Sequence, residues 1–304
     1  MPTTGQVGDP TELSVGELGD SPWSGPTVIR ILVGGRLREL REARGISRED
    51  AGYHIRGSHS KISRMEVGRT SFKVRDVADL LTLYGVTGEA ERASLLAMVD
   101  QANSPSWWHE YRDVIPEWLE PYLGLEQDAV LIRTHEVQFV PGLLQTEDYA
   151  RAVIANGSEG GTSDQVERRV AVRMRRRRIL DGPTPCKFWV VLDESALHRQ
   201  VGSEKIMRAQ LDHLAAMAAL PHITVQVLPL AGGAPAGGVG PVTILRFAPP
   251  QLGDVVYLEH LASAQYLTKD GAAGPYQHLM NTLGVHAAPA TDTPAILARI
   301  GDAP

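Results

Sequence analysis

The sequence predicts an all-α domain near the N-terminus, followed by a larger α+β domain in which helices pack on a small sheet. Two observations lead to this prediction. Between residues 27 and 101, apolar residues recur at helical spacing and glycines separate the runs. Beyond residue 187, short runs of β-branched and aromatic residues are bounded by Pro and Gly, as is typical of strands. A chain of 304 residues has room for about two domains of ~150 residues each.

Four or five short helices are expected in the first domain, residues 27–100. The first covers residues 27–44; its apolar face consists of Val33, Leu37, Leu40 and Ala43, and its other face is rich in arginine. Ser47 and Ser58 are suited to cap the next two helices, because a serine hydroxyl accepts a hydrogen bond from a first-turn N–H. Another helix is expected at residues 74–83, and residues 89–101 are either the last helix of the domain or the start of a linker. Four helix ends are marked by glycine: Gly45, Gly57, Gly68 and Gly85.

The second domain is expected at residues 123–286 and mixes helices with strands. Helices are predicted at 123–133, 146–155, 165–180, 204–220 and 273–283, and strands at 187–193, 222–229, 242–247 and 255–260. The glycine-rich stretch 231–241 is interpreted as a flexible loop between two strands, with a ligand lid as the alternative. Three further segments are expected to lie outside both domains: a disordered tail at 1–26, an aromatic and proline-rich linker at 101–122, and a flexible tail at 287–304.

The charge of the chain is unevenly distributed. Residues 30–75 hold twelve Lys/Arg and five Asp/Glu, a net charge of +7, whereas the remainder holds eighteen basic and thirty-one acidic residues, a net charge of −13. A compact basic segment on an acidic protein indicates a surface that contacts a phosphate backbone. The alternative is a solvated helical face whose basic residues only keep the domain soluble.

Residues 47–69 have the pattern of two helices joined by a tight turn, the second able to enter a DNA major groove. Gly52 is expected where the helices cross, and Ile55, Ile62 and Met65 are expected to point inward. The outward positions carry hydrogen-bonding side chains that suit base edges and phosphates. With flanking arginines, the predicted DNA-binding residues are Arg48, Ser58, His59, Ser60, Lys61, Ser63, Arg64 and Arg69.

At these residues the sequence resembles the XRE-type helix-turn-helix family, and SKISRMEVGR is similar to that family's recognition helix. Two positions depart from the family pattern. Arg48 stands where the family usually carries a glutamine that contacts the DNA backbone. Arg56 stands in the turn where glycine is usual, and Gly57 follows it. Because a left-handed conformation is harder for Arg than for Gly, we expect the turn to shift by one residue.

The resemblance extends into the second domain. Residues 117–154, 191–214 and 223–233 are similar to the second domain of actinobacterial XRE-type regulators of the WhiJ-like kind. That resemblance implies a regulator of development or secondary metabolism, often paired with a small acidic protein encoded nearby in a toxin–antitoxin-like arrangement. The second domain of that family has no settled biochemical activity, so the resemblance implies a role without a ligand.

An enzyme or a metal site is not indicated by any motif. His109 and Glu110 lack the second histidine of a zinc-binding HExxH helix, and Ser195 does not lie in a GxSxG turn. The glycine-rich stretch is not followed by the Lys-Ser or Lys-Thr of a phosphate-binding loop. The single cysteine, Cys186, excludes an internal disulfide. We therefore expect no enzymatic activity, no cofactor and no metal, with an enzyme that carries a DNA-binding appendage as the remaining alternative.

Two segments are candidate sensing elements. The first joins the turn at Pro141 with nearby polar residues and upstream aromatic residues into a small-molecule pocket; its members are Trp107, Trp108, Tyr111, Pro141, Gln145 and Thr146. The alternative is an ordinary helix start with Thr146 as its N-cap. The second is the arginine-rich helix around residues 167–180, where Arg175 and Arg178 would meet an acidic partner or DNA. The alternative is a solvated helix held by salt bridges.

Taken together, the sequence predicts a cytoplasmic homodimer that binds a two-fold-related operator in double-stranded DNA. The second domain is expected to respond to a small molecule or to a small acidic protein. No secretion signal and no apolar run long enough for a membrane span is recognised, so no membrane association is expected.

Overall fold

The chain divides into two units, Met1–Ser106 and Trp107–Pro304. The structure is a computed structural model that describes residues 25–157, 161–232, 240–269 and 271–302. Most of the predicted N-terminal tail and most of the glycine-rich stretch 231–241 lie outside these residues. Among the helices that are described, none combines the length and the apolar character needed to cross a membrane.

The N-terminal unit is built from five α-helices in its described part, so residues 89–101 belong to its last helix and do not begin a linker. They are α1 (Pro26–Ala43), α2 (Arg48–His54), α3 (His59–Glu66), α4 (Val74–Leu83) and α5 (Glu89–Ala102). Both predicted serine caps are present: the Ser47 hydroxyl accepts a hydrogen bond from the Asp50 N–H at 3.0 Å, and the Ser58 hydroxyl accepts one from the Lys61 N–H at 3.2 Å. These local signals account for the agreement, since each helix end depends on residues within one turn of it.

The core of the N-terminal unit forms where α1 packs against α3 and α5. Val33 and Leu37 are buried as predicted, whereas Leu40 is half-buried and Ala43 exposed, so the apolar face does not continue to the end of α1. The closest approach is at Gly34, where an added Cβ would lie 2.4 Å from the Met65 carbonyl oxygen. Glycine is therefore required at this position for α1 to rest on the end of α3.

The C-terminal unit is an α+β fold. Its strands are β1 (Leu131–Glu136), β2 (Lys187–Asp193), β3 (Ile223–Leu228), β4 (Val242–Arg246), β5 (Val255–Glu259) and β6 (Ala264–Leu267). Its helices are α6 (Glu120–Asp128), α7 (Glu147–Gly157), α8 (Ser163–Arg176), α9 (Glu194–His198), α10 (Glu204–Ala218), α11 (Gly274–His286) and α12 (Thr293–Gly301).

The six strands form one mixed sheet in the order β3-β2-β1-β4-β5-β6. Strands β1, β2 and β3 are parallel, while β4 runs antiparallel to β1, β5 to β4, and β6 to β5. One face of the sheet carries an apolar core formed with α11, including Val191, Ile244, Val256, Met280 and Leu283. The opposite face carries Ile132, Thr134 and Glu136 of β1, because side chains alternate along a strand.

Three expectations differ from the structure. Residues 131–133, predicted to extend a helix, begin β1, which lies at the centre of the sheet; the short apolar run Val130–Ile132 does not distinguish helix from strand by itself. Strand β6 was not predicted, and four half-exposed residues give little pattern. The predicted linker 101–122 is also divided, since residues up to 102 finish α5 and those from Trp107 belong to the C-terminal unit.

The predicted flexible tail at 287–304 is instead largely helical. Helix α12 packs on α10 and β3, and Leu297 is buried. The fully buried Thr293 hydroxyl donates a hydrogen bond to the Val225 carbonyl at 2.6 Å. Strand β3 lies at the sheet edge, and this bond satisfies a carbonyl on that edge.

Replacing Thr293 with Val should therefore reduce the free energy of unfolding by ~1–3 kcal/mol, because it leaves the buried Val225 carbonyl without its donor while keeping the side-chain volume. Urea denaturation followed by circular dichroism measures the change. The control is Thr291→Val at an exposed position of the same segment, where less than ~0.5 kcal/mol is expected. Equal losses for the two variants would contradict the assigned role of the hydroxyl.

Candidate nucleic-acid interface and candidate binding cavity

Helices α2 and α3 cross at Gly52, as the sequence predicts. A Cβ added to Gly52 would lie 2.9 Å from the carbonyl carbon of Ser58, so a larger residue would push the helices apart. Ile55, Ile62 and Met65 are buried, and they hold α3 against the rest of the unit. The predicted inward and outward faces of α3 are therefore confirmed by the burial pattern.

The turn between these helices is not shifted, which corrects the expectation for Arg56. Arg56 adopts the left-handed conformation with φ 52°, and every other positive φ in the described chain belongs to glycine. The Arg56 N–H donates to the Tyr53 carbonyl at 3.0 Å, and the Gly57 N–H donates to the Gly52 carbonyl at 2.8 Å. These two bonds form a Schellman motif, whose geometry requires a left-handed residue at the position of Arg56.

The predicted DNA-binding residues divide into two groups. Most are at least partly accessible: Ser58, His59, Ser60, Arg64 and Arg69 are exposed, and Ser63 is half-buried. The other two have partners in the chain. The Lys61 ammonium pairs with Asp76 at the start of α4, and the Arg48 guanidinium donates to the Glu66 carboxylate at 2.7 Å. Lys61 and Arg48 thus stabilise the domain in addition to any contact with DNA.

Glu66 links three parts of the N-terminal unit. It is buried at the end of α3, and both of its carboxylate oxygens accept hydrogen bonds from Arg41 of α1. Arg41 also donates to the Ile46 carbonyl at 2.8 Å, immediately before α2. Together with Arg48, these contacts fix the direction of α3 relative to α1 and α2.

Further exposed residues near the turn were missed by the sequence reasoning. Tyr53 is 86% exposed, and His54 and Arg56 beside it are also exposed. The signal was present in the helical spacing, because Ala51, Gly52 and Ile55 form the buried face of α2 and Tyr53 falls on the opposite side. At the start of α4, Lys73 and Arg75 are exposed as well. These side chains enlarge the basic and hydrogen-bonding surface around α3.

The C-terminal unit contains a cavity of about 1270 Å³ on the open face of the sheet. Its floor consists of side chains from alternate positions of the strands, namely Ile132, Thr134, Glu136, Phe188, Thr243, Tyr257 and Glu259. Helices α6 and α8 contribute Tyr122, Glu126, Arg173 and Arg176, and the segment before α7 contributes Pro141 and Gln145. The lining also includes Gln138, Gln200 and Leu261, which are exposed, so the cavity reaches solvent there.

One ion pair in the cavity wall is fully formed. Arg176 donates two hydrogen bonds to the two carboxylate oxygens of Glu126, at 2.7 and 2.8 Å, and Glu126 is almost completely buried. The Arg176 guanidinium also lies 5.4 Å from the centre of the Tyr122 ring. This pair and its ring contact join α8 to α6 beside the cavity.

Arg173, Glu259 and Glu136 also line the cavity, and their side chains have no such ion pair. Arg173 donates one hydrogen bond, from Nη1 to the Gln145 side-chain oxygen at 2.9 Å, and Gln145 is held by the Val140 carbonyl at 2.7 Å. Burial and the neighbouring Arg176 lower the pKa of Arg173 to about 10. Glu259 accepts a hydrogen bond from the Tyr257 hydroxyl at 2.8 Å.

The Glu136 side chain makes no hydrogen bond to the residues that the structure describes. Burial, followed by the negative charge of Glu259, raises the pKa of Glu136 to about 8, while Arg173 and Arg176 oppose that shift. A carboxyl group with this pKa gains or loses its proton near neutral pH. A change in the charge or the burial around Glu136 therefore changes its protonation state.

The residues predicted to form a sensing pocket are only partly brought together. Pro141 and Gln145 line the cavity. Thr146 is the N-cap of α7, since its hydroxyl accepts a hydrogen bond from the Tyr149 N–H at 3.3 Å. Trp107, Trp108 and Tyr111 do not line the cavity; they pack in an apolar cluster with Ile115, Leu119, Leu123 and Val172, of which Ile115, Leu119 and Val172 also line the cavity. The aromatic side chains that line the cavity are Trp118, Tyr122, Phe139, Phe188 and Tyr257.

The arginines around residues 167–180 mostly contact groups of the same unit. Arg168 forms two hydrogen bonds with the Asp113 carboxylate, at 2.7 and 3.0 Å. Arg175 pairs with Glu110 and lies 4.8 Å from the centre of the Trp107 ring, and Arg177 contacts His213 at 3.1 Å. Arg178 is exposed. The pattern is that of a helix held by salt bridges.

Two family models match the chain. A helix-turn-helix domain matches residues 32–95, and a domain of unknown function (DUF5753) matches residues 119–299, more than half of the chain. The chain belongs to the DUF5753 family. Comparison with curated proteins and with solved structures gave no match. The helix-turn-helix domain identifies the protein as a DNA-binding regulator, and nearly the whole cavity lies inside the DUF5753 domain. Within the described residues, no group of three or more His, Cys, Asp or Glu side chains could hold a metal ion.

We expect Arg56→Gly to raise the free energy of unfolding by up to ~1 kcal/mol. Left-handed backbone costs an L-residue about 1–2 kcal/mol, and the greater freedom of glycine in the unfolded chain offsets part of that gain. Chemical denaturation followed by helical circular dichroism measures the change. Arg56→Ala keeps the Cβ but removes the charge, so it should show no comparable gain. Equal stabilisation by Gly and Ala would mean that charge, and not backbone strain, is responsible.

The raised pKa of Glu136 predicts a pH-dependent effect of Glu136→Gln. The usual pKa near 4.5 applies in the unfolded chain and about 8 in the folded protein, so the folded state binds the proton more tightly. Raising the pH from about 5 to about 8 should therefore destabilise the natural protein relative to the Gln variant. The melting temperature of the Gln variant minus that of the natural protein should therefore increase across this range. A difference that stays constant across this range would contradict the shift.

Proposed function

We infer that the protein is a sequence-specific transcription regulator that reads DNA with α3. The observation that carries this inference is the exposed face of α3, where His59, Ser60 and Arg64 stand free of the core while Ile62 and Met65 are buried. Such a face presents donors and acceptors to base edges and phosphates in a major groove. The net charge of +7 over residues 30–75 favours approach to the phosphate backbone.

Binding as a homodimer to a two-fold-related operator is part of the proposal. A single helix of eight residues can contact only a few base pairs, so two half-sites are the common way to gain specificity. The assignment to the XRE type, the WhiJ-like kind and a role in development or secondary metabolism rests on the resemblance of residues 47–69 and 117–233. It stays a prediction, as do a cytoplasmic location and the absence of enzymatic activity.

The DUF5753 domain is proposed to control DNA binding by sensing a small molecule. The cavity of about 1270 Å³ supports this choice, because it combines aromatic walls with a few charged groups. A small acidic protein is less well supported as the effector. Of the two arginines proposed to meet it, Arg175 already pairs with Glu110 and stacks on Trp107, which leaves Arg178 as the exposed one. An effector changes operator affinity only to the extent that it prefers one arrangement of the dimer.

Arg64→Ala should weaken specific DNA binding by ~1–3 kcal/mol, about 5- to 150-fold in the dissociation constant, if Arg64 reads a base. A duplex selected from a random pool by the full-length protein serves as the operator, and gel-shift titration measures affinity for it and for a scrambled duplex. Arg38→Ala, which removes an exposed arginine of α1 paired with Glu42, is the control with a smaller expected loss. Unchanged affinity of Arg64→Ala for both duplexes would remove α3 from the interface.

A further inference from the structure

The cavity of the DUF5753 domain contains an arrangement of charges that the proposed function alone does not explain. Arg173, Glu136 and Glu259 all line it, and none forms a salt bridge within 4.0 Å to another residue of the described chain. Exposed charged pairs can remain apart at little cost, but charges in a confined space favour a counter-charge. The unpaired groups lie within one cavity, beside the fully paired Glu126 and Arg176.

The two carboxylates project from the same face of the sheet. Thr134, Thr243 and Tyr257 form one row across β1, β4 and β5, according to the pairing register. Glu136 and Glu259 each follow two residues later, on parallel strands separated only by β4. Since neighbouring strands are ~4.8 Å apart, their backbones lie about 10 Å apart. A positively charged group located above β4 would therefore lie between the two carboxylates.

The environment of these carboxylates favours a positively charged ligand group. Tyr257 and Tyr122 stack with ring centres 4.2 Å apart, and both line the cavity beside Glu259. These two rings already contact each other, Arg176 and Tyr266, so the attraction for a ligand cation comes from the charge of the two carboxylates. Burial, followed by the negative charge of Glu259, raises the pKa of Glu136 to about 8 although Arg173 and Arg176 oppose the shift, so an ammonium group placed beside Glu136 would favour its ionised form.

Arg173 supplies a positively charged group to the same cavity. Its guanidinium has five N–H donors, and Nη1 is the one that donates to Gln145. Gln145 is itself fixed by the Val140 carbonyl, so Arg173 is held at one nitrogen while its other donors remain available in the described structure. A planar guanidinium with adjacent free donors matches a carboxylate through two parallel hydrogen bonds.

Other ligand classes fit these groups less well. An inorganic anion would satisfy Arg173 but would be repelled by Glu136 and Glu259. A metal ion would meet Arg173, and the described residues contain no group of three metal-binding side chains. An apolar molecule would displace water from the Arg173 guanidinium and from the carboxyl groups of Glu136 and Glu259 without replacing its hydrogen bonds, which is costly.

We propose that this cavity binds a small zwitterion, such as an unblocked amino acid or short peptide, with its ammonium group between Glu136 and Glu259 and its carboxylate on Arg173. The proposal rests on the proposed function for the idea that this domain senses an effector. The apolar lining, including Ile115, Leu119 and Val172, would surround the body of the ligand. The volume of about 1270 Å³ exceeds the ~300–1,000 Å³ typical of small-molecule sites, so a molecule longer than one amino acid can be accommodated.

The test uses the full-length protein and a panel of free amino acids and unblocked dipeptides, each compared with its N-acetylated and its C-amidated form. Thermal shift identifies the members that stabilise the protein, and titration calorimetry measures their dissociation constants. The expected result is binding by at least one unblocked member, with affinity reduced 10-fold or more by either modification. No stabilisation by any unblocked member, or equal binding of the modified forms, would overturn the proposal.

Variants assign the two ends of the ligand. Glu136→Gln and Glu259→Gln should each weaken binding of the unblocked compound at least 10-fold, with less effect on the N-acetylated form. Arg173→Gln should weaken it similarly, with less effect on the C-amidated form. Arg175→Gln, on the same helix but outside the cavity lining, is the matched control and should bind as the natural protein does. Unchanged binding by all three cavity variants, each shown to be folded by its melting curve, would overturn the assignment of these residues.

Gel shift with and without the zwitterion separates this proposal from the proposed function. Zwitterion binding that leaves operator affinity unchanged would support the site but contradict effector control of DNA binding. Operator binding by α3 together with no zwitterion binding would overturn the site alone.

Discussion

The buried ion pair between Glu126 and Arg176 is the contact on which the cavity side of the C-terminal unit depends. It joins α6 to the end of α8, and the Glu126 carboxylate is almost completely buried. Removal of one partner from such a pair typically costs 3–5 kcal/mol, because the remaining charge stays buried and unpaired. The two forked hydrogen bonds also fix the orientation of α8. That orientation in turn places Arg173, one turn earlier on the same helix, in the cavity.

The N-terminal unit also contains a buried carboxylate paired with arginine, and here the pairing orients a helix of the DNA-binding domain. Glu66 is buried at the end of α3 and accepts hydrogen bonds from Arg41 of α1 and Arg48 of α2. A buried pair adds little net stability compared with a well-packed apolar contact, but it has a strict geometry. Here that geometry sets the angle at which α3 leaves the turn. The strained Arg56 turn and the missing Cβ of Gly52 allow the same close crossing, so three separate features define one helix direction.

Features that depend on residues close together in the sequence could be predicted, whereas features that depend on distant residues could not. The helix ends at Ser47, Ser58 and Gly68 were predicted because caps and left-handed glycines act within one turn. The central strand β1 was not predicted, since its place in the sheet is determined by pairing with β2 and β4, whose residues lie more than 50 positions away. The tail near Thr293 was misjudged for the same reason, because its buried hydrogen bond is to β3.

The two candidate sites also differ in how far apart their residues lie in the sequence, and so in how well they could be predicted. The residues of α3 are consecutive, so their exposed and buried faces follow from helical periodicity, although the partners of Lys61 and Arg48 do not. The cavity charges instead come from β1, α8 and β5, spread over residues 136 to 259. In the sequence Arg173 is one of seven arginines in a row of fourteen residues, and nothing local distinguishes it from Arg175. Only the fold separates them: Arg175 has a carboxylate and an aromatic ring as partners, whereas Arg173 faces a cavity with two carboxylates and a single hydrogen bond. The functional assignment of the helix therefore follows from which arginines the structure leaves without a partner charge, and not from the number of arginines.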